Sequence, residues 1–331
     1  MSYKINGKIE DRVLLHLVPH GIDSETFTHY NKDDNRLIEF RNKVFGNRDY
    51  KFAILYNSRN IQRKRTSNII LAYRVFCDNL SKEEASKCVL ILHTEIMQDA
   101  GTNLLALKEA FCPEYNVIFS PGKLSPQDMC LLYNTADITV NASSSEGFGL
   151  SAAESIMCGT PVVITVTGGL QDQIGQVDDN GKPIEFNEDF ASNNCGKYKK
   201  CGPWAYPLWP ATRLVQGSLP TPFIFDDLTK WEDIADGYMY WYMMKPKERE
   251  KCGIIGRNWV MNEGGLNSKN MGQLFIEGME YVFRNWTKPK MFDIYTVKNY
   301  VGNVMPGGHM GFEIPKIDKD LLQNKINNLK I

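Results

Sequence analysis

The stretch that decides the fold is residues 137–165, DITVNASSSEGFGLSAAESIMCGTPVVIT. Residues 137–141 predict a strand, residues 149–157 predict a helix, and residues 161–165 predict a second strand. Two such strands joined through a helix indicate a right-handed crossover and parallel pairing. In parallel sheets, ligands bind beyond the carboxyl ends of the strands, so the segment after residue 141 is the first place to look for a site.

The same alternation of strands and helices continues on both sides of this stretch. Further strands are predicted at residues 51–56, 88–92 and 116–119, and further helices at residues 67–80, 104–111 and 125–133. Strands of this length separated by helices indicate an α/β fold, with a Rossmann-like parallel sheet and flanking helices. Helices are also predicted to resume at Asp227 and to follow at residues 246–262 and 269–283.

The alternation breaks after residue 175. Residues 176–222 are rich in Asn, Gly, Pro, Lys and aromatic residues and show no helical period, so we expect a long insertion carrying a hairpin. Thr229 and Glu232 have the spacing of a capping box for the helix that follows. The predicted organisation is a lead-in over residues 1–17, one Rossmann-like domain over residues 18–285, and an irregular tail over residues 286–331.

The composition limits which classes of molecule the protein is expected to bind. Of the 331 residues, 43% are hydrophobic, which is enough for a core, and 38 Lys and Arg against 39 Asp and Glu give a net charge of −1. A nucleic-acid partner held by non-specific charge would require an excess of basic residues. The sequence has no such excess, so we expect no nucleic-acid partner. No stretch approaches the roughly 20 apolar residues of a membrane helix, and no signal-peptide pattern opens the chain. We therefore expect a soluble, cytoplasmic protein.

Residues 143–150 have the features of an anion site. Gly147 and Gly149 allow the backbone to approach a ligand, and the helix that follows directs its free N–H groups and positive dipole end to the same place. Glu146 and Glu154 flank this site. Carboxylates would repel a phosphate, so we interpret them as acceptors for the hydroxyl groups of a ribose and a sugar. The alternative is a glycine-containing turn with two solvated acids.

Two cations follow the first strand of the predicted domain. Arg59 and Lys64 lie in the polar segment after residue 56, which is also at a carboxyl end. Arg binds phosphate oxygens through two N–H groups and Lys acts as a point charge, so the two could neutralise a diphosphate. Taken alone, this observation is weak, because Arg and Lys in a loop are more often solvated.

Together these residues resemble the retaining glycosyltransferases with the two-domain GT-B fold, family 4-like, in their carboxy-terminal, donor-binding half. The match begins with VPHGID at residues 18–23, where that family usually has V-P-N-G-V-D, and includes Arg59, Lys64 and the Glu-x7-Glu pair at 146 and 154. The resemblance implies a hexosyltransferase-class enzyme. It would move a sugar from a nucleoside-diphosphate sugar to a glycan, lipid or protein acceptor.

The resemblance also implies roles for particular residues, with no metal and no cofactor, because cationic side chains replace the metal. The implied catalytic residues are Glu146, Arg59 and Lys64. The implied donor-binding residues are Gly122, Lys123 and Leu124 near the base, Gly147, Phe148, Gly149 and Leu150 at the phosphates and sugar, and Glu154 at the ribose.

Three departures from the family pattern limit this interpretation. The family's acidic residue after the glycine pair falls on Asp172, the usual DGxNG stretch is represented by residues 178–181, and only 17 residues precede Val18. By the resemblance, we therefore expect this chain to lack the acceptor-binding half. We expect the chain to work with an amino-terminal half or a second copy. The insertion at residues 176–222, in which Trp204, Tyr206 and Trp209 stand close together, is the candidate for part of that contact or for acceptor binding. The alternatives are a nucleotide-sugar-binding module without transfer activity, or another GT-B enzyme such as an epimerase or a phosphorylase.

Overall fold

The structure is a computed structural model, and it describes residues 18–184, 192–194, 196–217, 219, 221 and 223–286, with the backbone of residues 3–5 and 8–10. Its helices and strands are β1 (Tyr3–Ile5), β2 (Lys8–Glu10), α1 (Asn35–Phe45), β3 (Phe52–Asn57), α2 (Thr66–Asp78), α3 (Lys82–Ser86), β4 (Cys88–His93), α4 (Leu104–Phe111), β5 (Val117–Phe119), α5 (Pro126–Thr135), β6 (Ile138–Asn141), α6 (Leu150–Met157), β7 (Val162–Thr165), β8 (Ala205–Leu208), β9 (Thr212–Gln216), β10 (Ile224–Leu228), α7 (Trp231–Met243), α8 (Pro246–Met261) and α9 (Ser268–Asn285). Short 3₁₀ helices span Gln62–Lys64 and Gly168–Gln173.

A six-stranded sheet in the order β5-β4-β3-β6-β7-β8 forms the centre of the described chain. Every neighbouring pair in it is parallel. The predicted α/β fold with a parallel sheet and flanking helices is therefore confirmed. Residues 1–279 form one compact unit, and a second unit begins at Glu280, within α9.

Both faces of the sheet are covered, which explains the continuous apolar runs of its strands. Along β3, Ile54 and Tyr56 pack into a core cluster with α2 and α7, whereas Ala53 and Leu55 pack into the opposite cluster with α1 and α5. A third cluster joins α6, β7 and α8. The strand ends are thereby held in fixed positions by core packing on two sides.

The predicted insertion over residues 176–222 needs correction in its second half. Residues 205–208 form β8, which pairs in parallel with β7 and extends the main sheet. The expected hairpin exists as β9 and β10, but its second strand ends at Leu228, beyond the predicted boundary. Consequently α7 begins at Trp231 rather than at Asp227, and its amino-terminal cap at Lys230 makes no side-chain hydrogen bond, so the predicted capping box is wrong.

Of the three aromatic residues singled out in the insertion, Trp204 lies in the core, whereas Tyr206 and Trp209 are half-buried. Trp204 is buried, its ring lies 5.1 Å from that of Trp259, and its indole N–H donates to the carbonyl of Gln173 at 3.0 Å. Tyr206 lies against Tyr240 at 5.3 Å. Trp204 therefore belongs to the core, which contradicts its expected role in contacting a partner.

Helix α1 was not predicted, although its signals are present in the sequence. Asp34 accepts a hydrogen bond from the N–H of Arg36 at the beginning of the helix, and Gly46 ends it in the left-handed conformation. Leu37 and Phe45 are buried on one face, at helical spacing.

The chain ends are described only in part. Within the predicted lead-in, β1 and β2 pair as an antiparallel hairpin. Apart from Trp286, the predicted tail lies outside the described residues. In the portion of the chain that was searched, no helix has both the length and the apolar character needed to cross a bilayer.

We predict that Gly253→Ala destabilises the protein by about 1–3 kcal/mol, because a Cβ at this position in α8 would collide with the carbonyl oxygen of Gly159. The matched control is Gly272→Ala in α9, where a Cβ meets nothing within 4 Å. The control should gain up to about 1 kcal/mol of helix stability. Urea denaturation of both variants measures the difference, and equal changes in the two would contradict the packing of α8 on Gly159.

A second prediction concerns Asp172, in the 3₁₀ helix after β7. Burial raises the pKa of its carboxyl to about 6. Because the folded chain then holds this proton more tightly than the unfolded chain, stability falls as the pH rises from about 4 to about 6. Asp172→Asn cannot ionise, so it should be more stable than the native protein near pH 7.5, by up to about 3 kcal/mol, and equally stable near pH 4. Urea denaturation at both pH values checks this, and a constant difference between the two proteins would exclude the raised pKa.

Candidate functional site

A cleft of about 630 Å³ opens at the edge of the sheet where the carboxyl ends of β3, β4 and β6 meet. The residues that line it come from the last residues of β3 and β4, from the segments after β3, β4, β5 and β6, from α6 and from the amino-terminal end of the domain. They are His20, Asn57, Ser58, Arg59, Lys64, His93, Thr94, Glu95, Gly122, Lys123, Glu146, Phe148, Gly149, Leu150, Ser151 and Glu154.

The cleft brings together all but two of the site residues predicted from the sequence. The first exception is Leu124, which packs against the core cluster of α1 and α5. The second is Gly147, which packs against the turn after β7. Its carbonyl oxygen lies so close to Gly169 that a Cβ there would collide with it. Of the three residues predicted near the base, Gly122 and Lys123 line the cleft.

Glu146 is the best-connected side chain in the cleft. Its Oε1 accepts hydrogen bonds from the Lys64 ammonium and from the Ser143 hydroxyl, the latter at 2.9 Å. Its Oε2 accepts from Arg63 Nη1 at 3.0 Å. The Glu146 side chain is only 6% exposed, so these contacts hold the carboxylate away from bulk water.

Electrostatics distinguish the two carboxylates of the cleft. Burial alone would raise the pKa of Glu146, but hydrogen bonding and charge from Lys64, with help from Arg63, outweigh it and lower that pKa. Burial raises the pKa of Glu154, and a hydrogen bond from Tyr133 only partly opposes this shift. Glu146 is therefore held ionised by two cations, whereas Glu154 has a hydroxyl group as its partner.

Glu154 is fixed by a chain of hydrogen bonds. The Tyr133 hydroxyl donates to Glu154 Oε2 at 2.7 Å, and Asn57 Nδ2 donates to the same hydroxyl oxygen at 2.7 Å. This chain links the end of β3 to α5 and α6. The carboxylate keeps its orientation because each donor is itself held by a neighbour.

The amino-terminal end of α6 faces the cleft without a side-chain cap. Gly149 occupies the cap position with φ of 90°, and no side chain accepts from the first N–H groups of the helix. Of these groups, those of Ala152 and Ala153 donate to the Gly149 carbonyl, and all of them belong to the positive dipole end of the helix. Together with Arg59 and Lys64, which line the same cleft, they form a surface suited to phosphate oxygens.

A glycine pair supports this loop from behind. The N–H of Gly169 donates to the carbonyl of Glu146 at 3.1 Å, and a Cβ at Gly168 would collide with that carbonyl. Gly168 also has a positive φ of 49°. Glycine is therefore required here, because the turn after β7 must lie directly against the backbone of Glu146.

Sequence reasoning missed several residues of the cleft. His20 lies against Phe148, with 5.1 Å between the ring centres. His93, whose pKa is lowered by burial, has its Nδ1 3.1 Å from the Ser120 hydroxyl. The buried hydroxyl of Thr94 has no hydrogen-bond partner among the residues that the structure describes. One signal could have found His93 and Thr94, since they stand where β4 ends. Arg63 stands in the basic run 63–65 and Tyr133 in a predicted helix, but neither pattern indicated a contact with Glu146 or Glu154.

Metal binding has no obvious location in the described residues. Among those that were searched, no group of three or more His, Cys, Asp or Glu side chains could hold a metal ion. The side chains of the cleft can instead bind an anion through cations and helix N–H groups, and hydroxyl groups through the carboxylates of Glu146 and Glu154.

Comparison with known proteins agrees with this geometry. Residues 38–192 match the sequence model of the family described as glycosyl transferases group 1. The alpha-monoglucosyldiacylglycerol synthase of Streptococcus pneumoniae is 31% identical over 162 residues, which cover 49% of this chain and 33% of that protein.

Two solved structures share the fold. A glycosyltransferase from Rickettsia africae superposes with a TM-score of 0.55 at 16% identity, covering 81% of this chain and 57% of that one. The Anabaena protein HepE, solved in complex with UDP-glucose, superposes with a TM-score of 0.53 at 15% identity. The superposition covers 79% of this chain and 56% of that one.

The chain thus spans a third of the length of this curated relative and a little over half of each of these two structures. At these structural identities the superpositions show the fold alone, while the match over residues 38–192 identifies the family of that segment. The described chain therefore shares its α/β fold with these two structures, and its segment 38–192 is similar in sequence to the group 1 glycosyl transferases.

Proposed function

We propose that this domain supplies the donor site of a retaining glycosyltransferase, which transfers a sugar from a nucleoside-diphosphate sugar to an acceptor. The observation that carries the proposal is that Glu146 and Glu154 line one cleft with Arg59, Lys64 and the uncapped beginning of α6. One cleft thus contains groups suited to a diphosphate together with two carboxylates that can accept hydroxyl groups. It matches a donor that has a ribose at one end and a sugar at the other.

In this proposal the cations and the helix act on the diphosphate. Lys64 is buried beside Glu146, whereas Arg59 is exposed at the rim of the cleft. Negative charge grows on the leaving diphosphate as the bond to the sugar breaks, and fixed positive groups stabilise it without reorganising. The two side chains would therefore do the work that a metal ion does in other transferases.

The carboxylates serve the two ends of the donor. Glu154 lies eight residues beyond Glu146, on α6, and accepts from Tyr133 through one oxygen, so the other oxygen can accept from ribose hydroxyls. Glu146, kept ionised, accepts from hydroxyls of the transferred sugar. Gly122 and Lys123 line the cleft after β5 and would contact the base. The HepE structure contains UDP-glucose, which makes a uridine donor the first to test.

The acceptor half is proposed to come from another domain, either an amino-terminal GT-B half or a second copy of the chain. Transfer requires an acceptor hydroxyl beside the reacting carbon of the sugar, and positioning supplies much of the rate. The alternative is a nucleotide-sugar-binding module without transfer activity. Adding an acceptor-binding half to the purified domain distinguishes the two, since only the transferase would then gain turnover.

Calorimetric titration with UDP-glucose, GDP-mannose and ADP-glucose, in the presence of EDTA, tests the donor site directly. We expect one nucleotide series to bind, and to bind equally well with or without EDTA, because no metal takes part in the proposed contacts. Failure of all three series to bind would overturn the proposal. Loss of binding in EDTA would overturn its metal-independent form.

We predict that Glu154→Gln weakens binding of both the bare nucleoside diphosphate and the nucleotide sugar, because it removes a ribose contact common to both. Glu146→Gln should weaken only the nucleotide sugar. Hydrogen bonds to a charged group are worth about 1.5–3 kcal/mol, so each loss should exceed about tenfold. Equal losses for the bare diphosphate in the two variants would show that the assigned ends are wrong.

We also predict that Arg59→Ala and Lys64→Ala each weaken diphosphate binding by at least about tenfold, since each removes a cation from two adjacent phosphates. The matched control is Arg74→Ala, which removes an exposed arginine paired with Asp78 on α2. Calorimetry with the nucleoside diphosphate measures the effect. Wild-type affinity in both variants would rule out this phosphate site.

A further inference from the structure

We propose that Arg63 is a positioning residue for Glu146, holding the carboxylate in place so that Lys64 is free to bind the phosphates of the donor. This inference rests on the proposed function. It concerns a residue that lies behind the cleft, since Arg63 is not among the side chains that line it.

Arg63 contacts the loop after β6 through both its side chain and its backbone. Nη1 donates to Glu146 Oε2 at 3.0 Å and to the carbonyl of Ser145 at 2.7 Å. The carbonyl of Arg63 accepts from the Ser144 N–H at 2.8 Å and from the Ser144 hydroxyl at 3.2 Å. One residue therefore holds three consecutive residues of the opposite loop, which fixes the guanidinium relative to the carboxylate.

Arg63 and Lys64 approach Glu146 from different sides. Lys64 binds Oε1, is 10% exposed and lines the cleft, whereas Arg63 binds Oε2 and is 35% exposed. The ammonium of Lys64 can reach a ligand in the cleft, and Arg63 remains bound to Ser145 at the back. The two cations are therefore not equivalent, although they are neighbours in the sequence.

Charge explains why a second cation is needed. A diphosphate in the cleft attracts the Lys64 ammonium and weakens its bond to Glu146. If Lys64 were the only partner, this would leave a carboxylate with 6% exposure without a compensating cation, which is unfavourable in a buried site. With Arg63 in place, Glu146 stays ionised and oriented, and continues to accept hydroxyl groups of the sugar while Lys64 acts on the phosphates.

The inference assigns Arg63 an effect at the sugar end of the donor only. Arg63→Gln removes the cation and Arg63→Lys keeps the charge, but a lysine has a single ammonium in place of the planar fork. Arg74→Gln is the control, since it removes an exposed arginine from the neighbouring helix α2. All are compared with the wild-type domain.

The first measurement is calorimetry with the nucleotide sugar that the wild-type domain binds and with its bare nucleoside diphosphate. For Arg63→Gln we expect about a tenfold loss of affinity for the nucleotide sugar, and less than about a twofold loss for the diphosphate. Arg63→Lys should recover part of the loss, and Arg74→Gln should match the wild type. Equal losses for both ligands would overturn the inference and leave Arg63 as a structural link between two loops.

The second measurement follows the Glu146 carboxyl by NMR in protein labelled with ¹³C-glutamate, with the signal assigned through Glu146→Gln. The pKa of Glu146 should rise in Arg63→Gln and rise less in Arg63→Lys, and an unchanged pKa in both would overturn the inference. If Arg63→Gln does not fold, Arg63→Lys alone decides. If the wild-type domain binds no nucleotide sugar, the proposed function fails, and this titration still determines whether Arg63 holds the carboxylate.

Discussion

The cleft depends on one cluster of charges, in which the Glu146 carboxylate lies between Lys64 and Arg63. The cluster joins the segment after β3 to the segment after β6, and these two segments supply much of the surface of the cleft. A buried carboxylate with two cations is favourable only when every partner is well placed, because the cost of removing charges from water is high. The cluster therefore links the two segments, in addition to contributing chemical groups.

The order of strands makes this cluster possible. β6 lies between β3 and β7, so the segments that follow these three strands are neighbours at one edge of the sheet. The segment after β6 lies between the segments after β3 and β7. Arg63 contacts it from the first of these, and the glycine pair 168–169 contacts it from the second. Side chains at the two glycines would push Glu146 away from its cations. Gly168 and Gly169, in the segment after β7, thus control the position of the Glu146 carboxylate although they contact only the backbone of its loop.

The sequence predicted the elements whose signals are local and repeated. Apart from α3 and the 3₁₀ helix at Gln62–Lys64, which were not predicted, the strands and helices between residues 52 and 157 follow from apolar runs and helical spacing. The cleft follows from the carboxyl-end rule. The sequence did not predict β8, because a parallel strand after a long irregular segment is formed by its pairing with β7 rather than by a local pattern. Nor did it reveal Arg63 or Tyr133, since their partners lie 83 and 21 residues away and only the fold brings them together.

The two carboxylates of the cleft show how one fold gives the same side chain two different capacities. Asn57 donates to the Tyr133 hydroxyl, which must then donate to Glu154, so the direction of each hydrogen bond in this chain is set by the amide. Glu154 is thus required to act as an acceptor, despite a pKa raised by burial. Glu146 is also an acceptor, and in its case Lys64 and Arg63 keep the carboxylate ionised. Lys64, one of those cations, also lines the cleft, so an anionic ligand there acts directly on the charge balance of Glu146. Glu154 accepts from the neutral Tyr133 hydroxyl and is therefore less affected by the charge of that ligand.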